Sequence, residues 1–118
     1  MLWLTALAWA GTDDLLAKGM AAQREKDTDA AIAAYEECLA IDPKHVKCNW
    51  EIGWSLWTRS DWEGVVRHWE KVKALEPTHP EVDQHLATAK GHLASLQAIR
   101  AAGQGAPASV KGRVAAGS

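Results

Sequence analysis

Residues 40–45 read AIDPKH and residues 74–79 read ALEPTH, two related hexapeptides 34 residues apart. The correspondence spreads outward at the same spacing, with Gly19 falling on Gly53, Asp27 on Asp61 and Tyr35 on Trp69. A period of this length, held over many positions, marks stacked supersecondary units. Each copy reads as helix, short turn, helix. Thr12 stands where it can cap a first helix, and the opening turn holds Asp13 and Asp14, whose carboxylates suit the positive end of the helix dipole. That helix is expected to reach about residue 25. A second helix follows Asp27, carries Ala31, Ile32, Ala34, Tyr35, Cys38 and Leu39 at helical spacing, and stops before Pro43. In the second copy the first helix is expected over roughly residues 47–59. Ser60 and Glu63 there have the spacing of a capping box, so the next helix opens at that point and ends before Pro77.

A third segment opens at Pro80, a residue well suited to the first position of a helix. Val82, Leu86, Ala89, Leu93 and Leu96 then form one apolar stripe to about Ile99, with Glu81, Gln84, Lys90 and Gln97 on the other side. One apolar face and one wet face is what a terminal cap requires. From residue 101 to 118 the chain shifts to Gly, Ala, Pro and Ser with two basic residues, and reads as a disordered tail or a linker. At the other end, residues 1–10 are apolar and finish in Ala8-Trp9-Ala10, like the apolar stretch and small-residue cleavage site of a secretory signal. No Lys or Arg precedes the stretch, so an apolar N-terminal segment packed on the first helix is the alternative. The expected organisation is therefore residues 1–10 as a signal peptide or apolar segment, 12–45 and 46–79 as two repeats, 80–99 as a capping helix, and 101–118 as the tail. A periplasmic or secreted location follows from the first reading, a cytoplasmic one from the second.

The bulk composition narrows the classes. A chain of 118 residues makes one domain, and its 47% hydrophobic and 24% charged residues are ordinary for a globular protein. The net charge is -2 with both signs interspersed, so nothing can neutralise a run of phosphates and no nucleic-acid partner is expected. No apolar run approaches the roughly 18 residues of a membrane span. Aromatic usage is lopsided: of seven Trp, five lie between Trp50 and Trp69, and there is no Phe.

Period, helix pattern and terminal Pro together resemble the tetratricopeptide repeat. The signature positions hold Leu15, Gly19, Ala22, Ala31, Tyr35, Cys38 and Pro43 in the first copy. In the second they hold Asn49, Ile52, Gly53, Leu56, Val65, Trp69, Val72 and Pro77. Lys18, Asn49 and Val65 depart from the family pattern and imply locally looser packing. The resemblance covers residues 12–99 and implies an all-α fold of five helices, in which antiparallel helix-turn-helix pairs stack as a short right-handed α-solenoid. Two repeats alone bury a continuous core poorly, since about three are normally needed.

The resemblance also implies a concave groove lined by the first helix of each repeat. Carried over residue by residue, the first copy presents Asp13, Leu16, Met20, Gln23 and Arg24, and the second Lys47, Trp50, Trp54, Trp57 and Thr58. Trp50, Trp54 and Trp57 recur at helical spacing on one face, while Ile52 and Leu56 on another face can supply the core. An aromatic stripe of this kind either packs inside or contacts a partner. The expected contact residues are Leu16, Met20, Arg24, Lys47, Trp50, Trp54 and Trp57, and the expected occupant is a protein or peptide, with self-association or a stacked glycan as alternatives. The family's carboxylate clamp is not expected, because its positions hold Leu16, Met20, Glu51, Glu81 and His85.

Cys38 and Cys48 flank Pro43 symmetrically, so an antiparallel helix pair brings them near each other, either as a disulfide or as two small buried thiols. His85 and His92 share a face, but their spacing is poor for zinc, and no metal site is expected. No phosphate loop, nucleophile motif or catalytic carboxylate pair occurs, so no cofactor and no enzymatic activity are expected. The function read from the sequence is a protein-interaction scaffold of the cell envelope. The alternative from another class is an N-terminal accessory module of a larger enzyme.

Overall fold

In the computed structural model the backbone is described for residues 11–117 and the side chains for residues 11–104. The signal-peptide reading of residues 1–10 lies outside the described residues. Five helices are present there: α1 (Thr12–Arg24), α2 (Thr28–Ile41), α3 (Val46–Thr58), α4 (Trp62–Leu75) and α5 (Val82–Gly117). Consecutive helices pack on one another, and α1 also meets α3, as the first helices of adjacent repeats do along the inner side of a helical solenoid.

The 34-residue period survives in the detail of the turns. Lys26 and Ser60, one period apart, both take left-handed backbone conformations, with φ of 62° and 59°. Around Lys26 the amide of Asp27 donates to the Ala22 carbonyl at 2.9 Å and that of Lys26 to Gln23 at 2.9 Å. Around Ser60 the amide of Asp61 donates to Leu56 at 2.9 Å and that of Ser60 to Trp57 at 2.8 Å. Each is a Schellman closure of the preceding helix. Asp27 and Asp61 then cap the next helices, accepting from the Ala30 and Gly64 amides at 3.1 Å.

This corrects three boundary expectations. Ser60 is occupied in ending α3, so the cap of α4 falls to Asp61 and no Ser60–Glu63 box forms. Thr12 lies inside α1, whose N-cap is Gly11 with no side-chain cap bond. Pro80 sits in the turn before α5. The last helix also runs on to Gly117, past the expected stop near residue 99. Ala101 and Ala102 follow Ile99 directly, and alanine is the strongest helix former, so nothing there ends the helix.

Gly19 and Gly53 show what the repeat signature is for. A Cβ on Gly19 would overlap the Tyr35 ring, and one on Gly53 would overlap the Trp69 indole. Both rings are fully buried, and each fills the gap that its glycine leaves between the two helices of the repeat. Their polar tips are satisfied: the Tyr35 hydroxyl donates to Gln23 Oε1 at 2.7 Å, and Trp69 Nε1–H donates to the Trp50 carbonyl at 3.0 Å. The core continues through Ile52, Val65, Val72, Val82, Leu86 and Ala89, so the start of α5 packs on the second repeat, while Ile99 at the end of the expected stripe is exposed. Two exposed ion pairs, Lys73–Asp83 at 2.7 Å and Arg100–Glu63 at 2.9 Å, also link α4 to α5. Exposed pairs of this kind contribute at most about 1 kcal/mol each.

The departures from the family pattern do not loosen the packing. Lys18 is exposed and Val65 is fully buried. Asn49 is fully buried too, but its Nδ2 donates to the Pro43 and His45 carbonyls at 3.0 and 2.9 Å. With the amide group so oriented, Asn49 Oδ1 is the acceptor for His68 Nδ1–H at 2.9 Å, which ties the inter-repeat turn to α4.

Burial pushes His68 down to about 4, and the positive charges of Arg67 and Lys71 act in the same direction. Between the ordinary value of about 6.5 and that depressed value, the unfolded chain takes up a proton that the folded chain refuses. The stability that His68 contributes is therefore steady above about pH 6.5 and is lost as pH drops towards 4. The loss is about 1–2 kcal/mol after discounting for the half-exposed ring. Urea denaturation at pH 7 and pH 4.5 measures it. A His68→Gln variant should lose less stability over that interval than the wild type; equal losses would remove His68 as the cause.

Candidate functional site

The inner surface of the solenoid is built on α3. Its helical repeat places Trp50, Trp54 and Trp57 on one face, and the fold sets that face against α4 and α5. Trp50 is only 9% exposed. Its ring stacks on Trp69 at 4.8 Å and is closed over by His79 at 4.7 Å and His85 at 5.9 Å. Trp54 and Trp57 are half-buried. Trp54 meets Trp69 and His85 edge-on at 4.8 and 4.9 Å, and Trp57 meets Trp62 at 4.9 Å and His92 at 5.6 Å. Trp62 and His92 stack at 4.3 Å. The expectation of three rings presented to a groove is thus corrected for Trp50, because α5 and the turn before it bring two histidines over its ring. Trp54 and Trp57 each keep an open side.

That open side lines a cleft of about 540 Å³. Trp54 and Trp57 supply its aromatic wall, Gln23, Lys26 and Thr28 its opposite edge, and Glu51, Ser55 and Thr58 the rest of α3. Gln23 anchors the floor: its Nε2 donates to the Glu51 carbonyl at 3.1 Å and to Ser55 Oγ at 3.0 Å, while its Oε1 receives the Tyr35 hydroxyl. Burial raises the Tyr35 phenol well above its ordinary value, with Glu51 adding to the effect and Arg24 opposing it, so the hydroxyl remains a donor. This one side chain couples the first repeat to the second across the cleft.

Glu51 also borders a second depression of about 270 Å³, lined by Met20, Val46, Lys47, Trp50, Glu76, His79 and Pro80. Burial raises the Glu51 carboxyl above its ordinary value and nearby Glu81 raises it further, against the pull of Lys47. Of the residues expected to make contact, Trp54 and Trp57 meet in the first hollow and Met20, Lys47 and Trp50 in the second. Leu16 packs against the core, and Arg24 is exposed and lines neither hollow. Gln23, Glu51 and Thr58 were legible as family groove positions, whereas Lys26, Thr28 and Ser55 were missed because they meet only where the turn after α1 comes beside α3.

Cys38 and Cys48 are joined by a disulfide, with Cα atoms 6.5 Å apart, and both are fully buried. The bridge ties the end of α2 to the start of α3 and so links one repeat to the next. His45, the N-cap of α3, accepts from the Cys48 amide through Nδ1 at 3.1 Å. Ligand-type atoms of Cys38, His45 and Cys48 all lie within 4.8 Å of one another. The C-x6-H-x2-C spacing was the available signal for this cluster.

Antiparallel helix pairs stacked in sequence, with a cleft on the inner face, define a helical-repeat scaffold. A family model described as "Tetratricopeptide repeat" matches residues 15–45, the first repeat. That match covers the first repeat alone, and the five helices packed in order are similar to a tetratricopeptide-repeat solenoid. No curated protein matches it. No helix among the described residues is long and apolar enough to cross a membrane.

Proposed function

We propose that the protein is a non-catalytic scaffold that holds a peptide segment of a partner protein in the cleft between α1 and α3. The observation that carries this reading is the pairing of two half-open indole rings, Trp54 and Trp57, with a polar rim in a hollow of about 540 Å³. An aromatic wall accepts one bulky apolar side chain. The rim formed by Lys26, Thr28, Glu51 and Thr58 satisfies the backbone groups on either side of it. The buried Cys38–Cys48 bridge supports a periplasmic or secreted location, since disulfides persist in oxidising compartments.

The test separates binding from folding. Trp54 touches Trp69, so its removal disturbs the core; Thr58 is exposed, lines the cleft and can be enlarged instead. Peptides selected from a random display library on the wild-type protein should contain a bulky apolar residue. They should bind Thr58→Trp and Glu51→Lys variants at least about tenfold more weakly, as expected for blocking a central anchor pocket. Helicity should be unchanged in both variants. Selected peptides that bind wild type and both variants equally would show that the cleft is not the binding surface.

A further inference from the structure

The turn between α2 and α3 holds a second chemical opportunity, independent of the cleft. Cys38 comes from the last turn of α2, Cys48 from the first turn of α3, and His45 from the N-cap between them. The two sulfurs are fully buried while the imidazole is half-buried, so the cluster has one approach from solvent, on the histidine side. We propose that Cys38, His45 and Cys48 form a redox-gated zinc site, closed as a disulfide when oxidised and open to one Zn²⁺ when reduced.

The geometry carries the proposal. Zinc holds thiolates at about 2.3 Å and imidazole nitrogen at about 2.0–2.1 Å, so tetrahedral ligand atoms lie roughly 3.5–4 Å from one another. The three ligand atoms already lie within 4.8 Å of one another. Side-chain rotation at Cys38 and Cys48, whose Cα atoms are 6.5 Å apart, moves the separated sulfurs to that spacing without shifting either helix. Charge favours this ion as well: two thiolates and a neutral imidazole around Zn²⁺ sum to zero, which is the least costly state for a buried cluster. Three protein ligands leave the fourth position to water on the solvent side of His45.

The chemistry balances with a dithiol as the reductant. The Cys38–Cys48 bond accepts two electrons and two protons and becomes two thiols, while the dithiol is oxidised to its own disulfide. Metal binding then releases both thiol protons to solvent. The lone pair on His45 Nδ1 now receives the Cys48 amide, so ligation through that atom exchanges a helix cap for a metal bond. Asparagine caps helices well but lacks the imidazole, so His45→Asn separates the two roles.

The experiment uses the full chain, reduced with a phosphine under argon and titrated with Co²⁺ as the spectroscopic stand-in, then with Zn²⁺. The expected result is one equivalent of Co²⁺ giving thiolate-to-cobalt charge-transfer absorption, displaced by Zn²⁺, with no absorption from the unreduced protein. His45→Asn should bind at least about tenfold more weakly, since loss of a direct ligand exceeds the roughly 10–100-fold effect of losing an outer hydrogen-bond partner. Cys38→Ser should abolish specific binding. A reduced protein that stays helical and binds no Co²⁺, or a His45→Asn variant with wild-type affinity, would overturn the proposal. If reduction lowers helicity, Zn²⁺ should restore it in the wild type and not in Cys38→Ser, and failure to restore it overturns the proposal equally.

Discussion

Replacing Trp69 by Ala should cost about 3–5 kcal/mol of unfolding free energy, the range for removing a large buried aromatic. A small domain has roughly 5–15 kcal/mol in total, so this variant would sit near the edge of folding. Three roles concentrate on this side chain. It fills the space opened by Gly53, donates its indole N–H to the Trp50 carbonyl, and supports the rings of Trp50 and Trp54, each 4.8 Å away. The complementary change is Gly53→Ala. Alanine improves helix propensity by about 1 kcal/mol, but its methyl would overlap the indole. Overpacking of this kind costs about 1–3 kcal/mol or more. Gly91 supplies the control, because it is helical, exposed and has open space where a Cβ would stand. Gly91→Ala should therefore stabilise while Gly53→Ala destabilises. Urea titration followed by circular dichroism reads all three variants, and a Gly53→Ala protein as stable as the wild type would refute the close-packing account.

Reducing the Cys38–Cys48 bond should lower stability by about 2.5–3 kcal/mol, the chain-entropy value for a loop of this length. The two cysteines are 10 residues apart, and the loop they close contains the whole turn between the repeats. A two-repeat array has fewer neighbour interfaces than a stable solenoid normally needs, so a covalent tie at the junction of α2 and α3 offsets part of that deficit. Metal-free protein compared with and without reductant should show a clear shift in urea midpoint with little change in the slope. Equal midpoints would mean that helix packing alone holds the repeats together.

Much of this architecture is legible from one chain. The 34-residue period, the prolines Pro43 and Pro77 after alternate helices, and the glycine–aromatic pairs each act locally or across one helical hairpin. Residues a few positions apart on a helix share a face whatever surrounds it, which is why the apolar stripe that opens α5 and the start of α2 after Asp27 were readable. The cap at Ser60 was misread for an equally local reason. Ser60 and Asp61 are both good caps, and the choice between them rests on Ser60 entering the left-handed region to close α3, a backbone decision invisible in residue type.

What the sequence determined by itself, then, is the helix inventory, the repeat register and which side chains share each face. Tertiary structure decided what covers those faces. Helical spacing puts Trp50, Trp54 and Trp57 together, but only the placement of α5 and of the turn before it, packed through α4, sets His79 and His85 on Trp50 and leaves Trp54 and Trp57 open to the cleft. The same holds for the Asn49–His68 bond between α3 and α4. These contacts depend on how whole helices pack, and packing is settled by side-chain volumes from distant parts of the chain acting together.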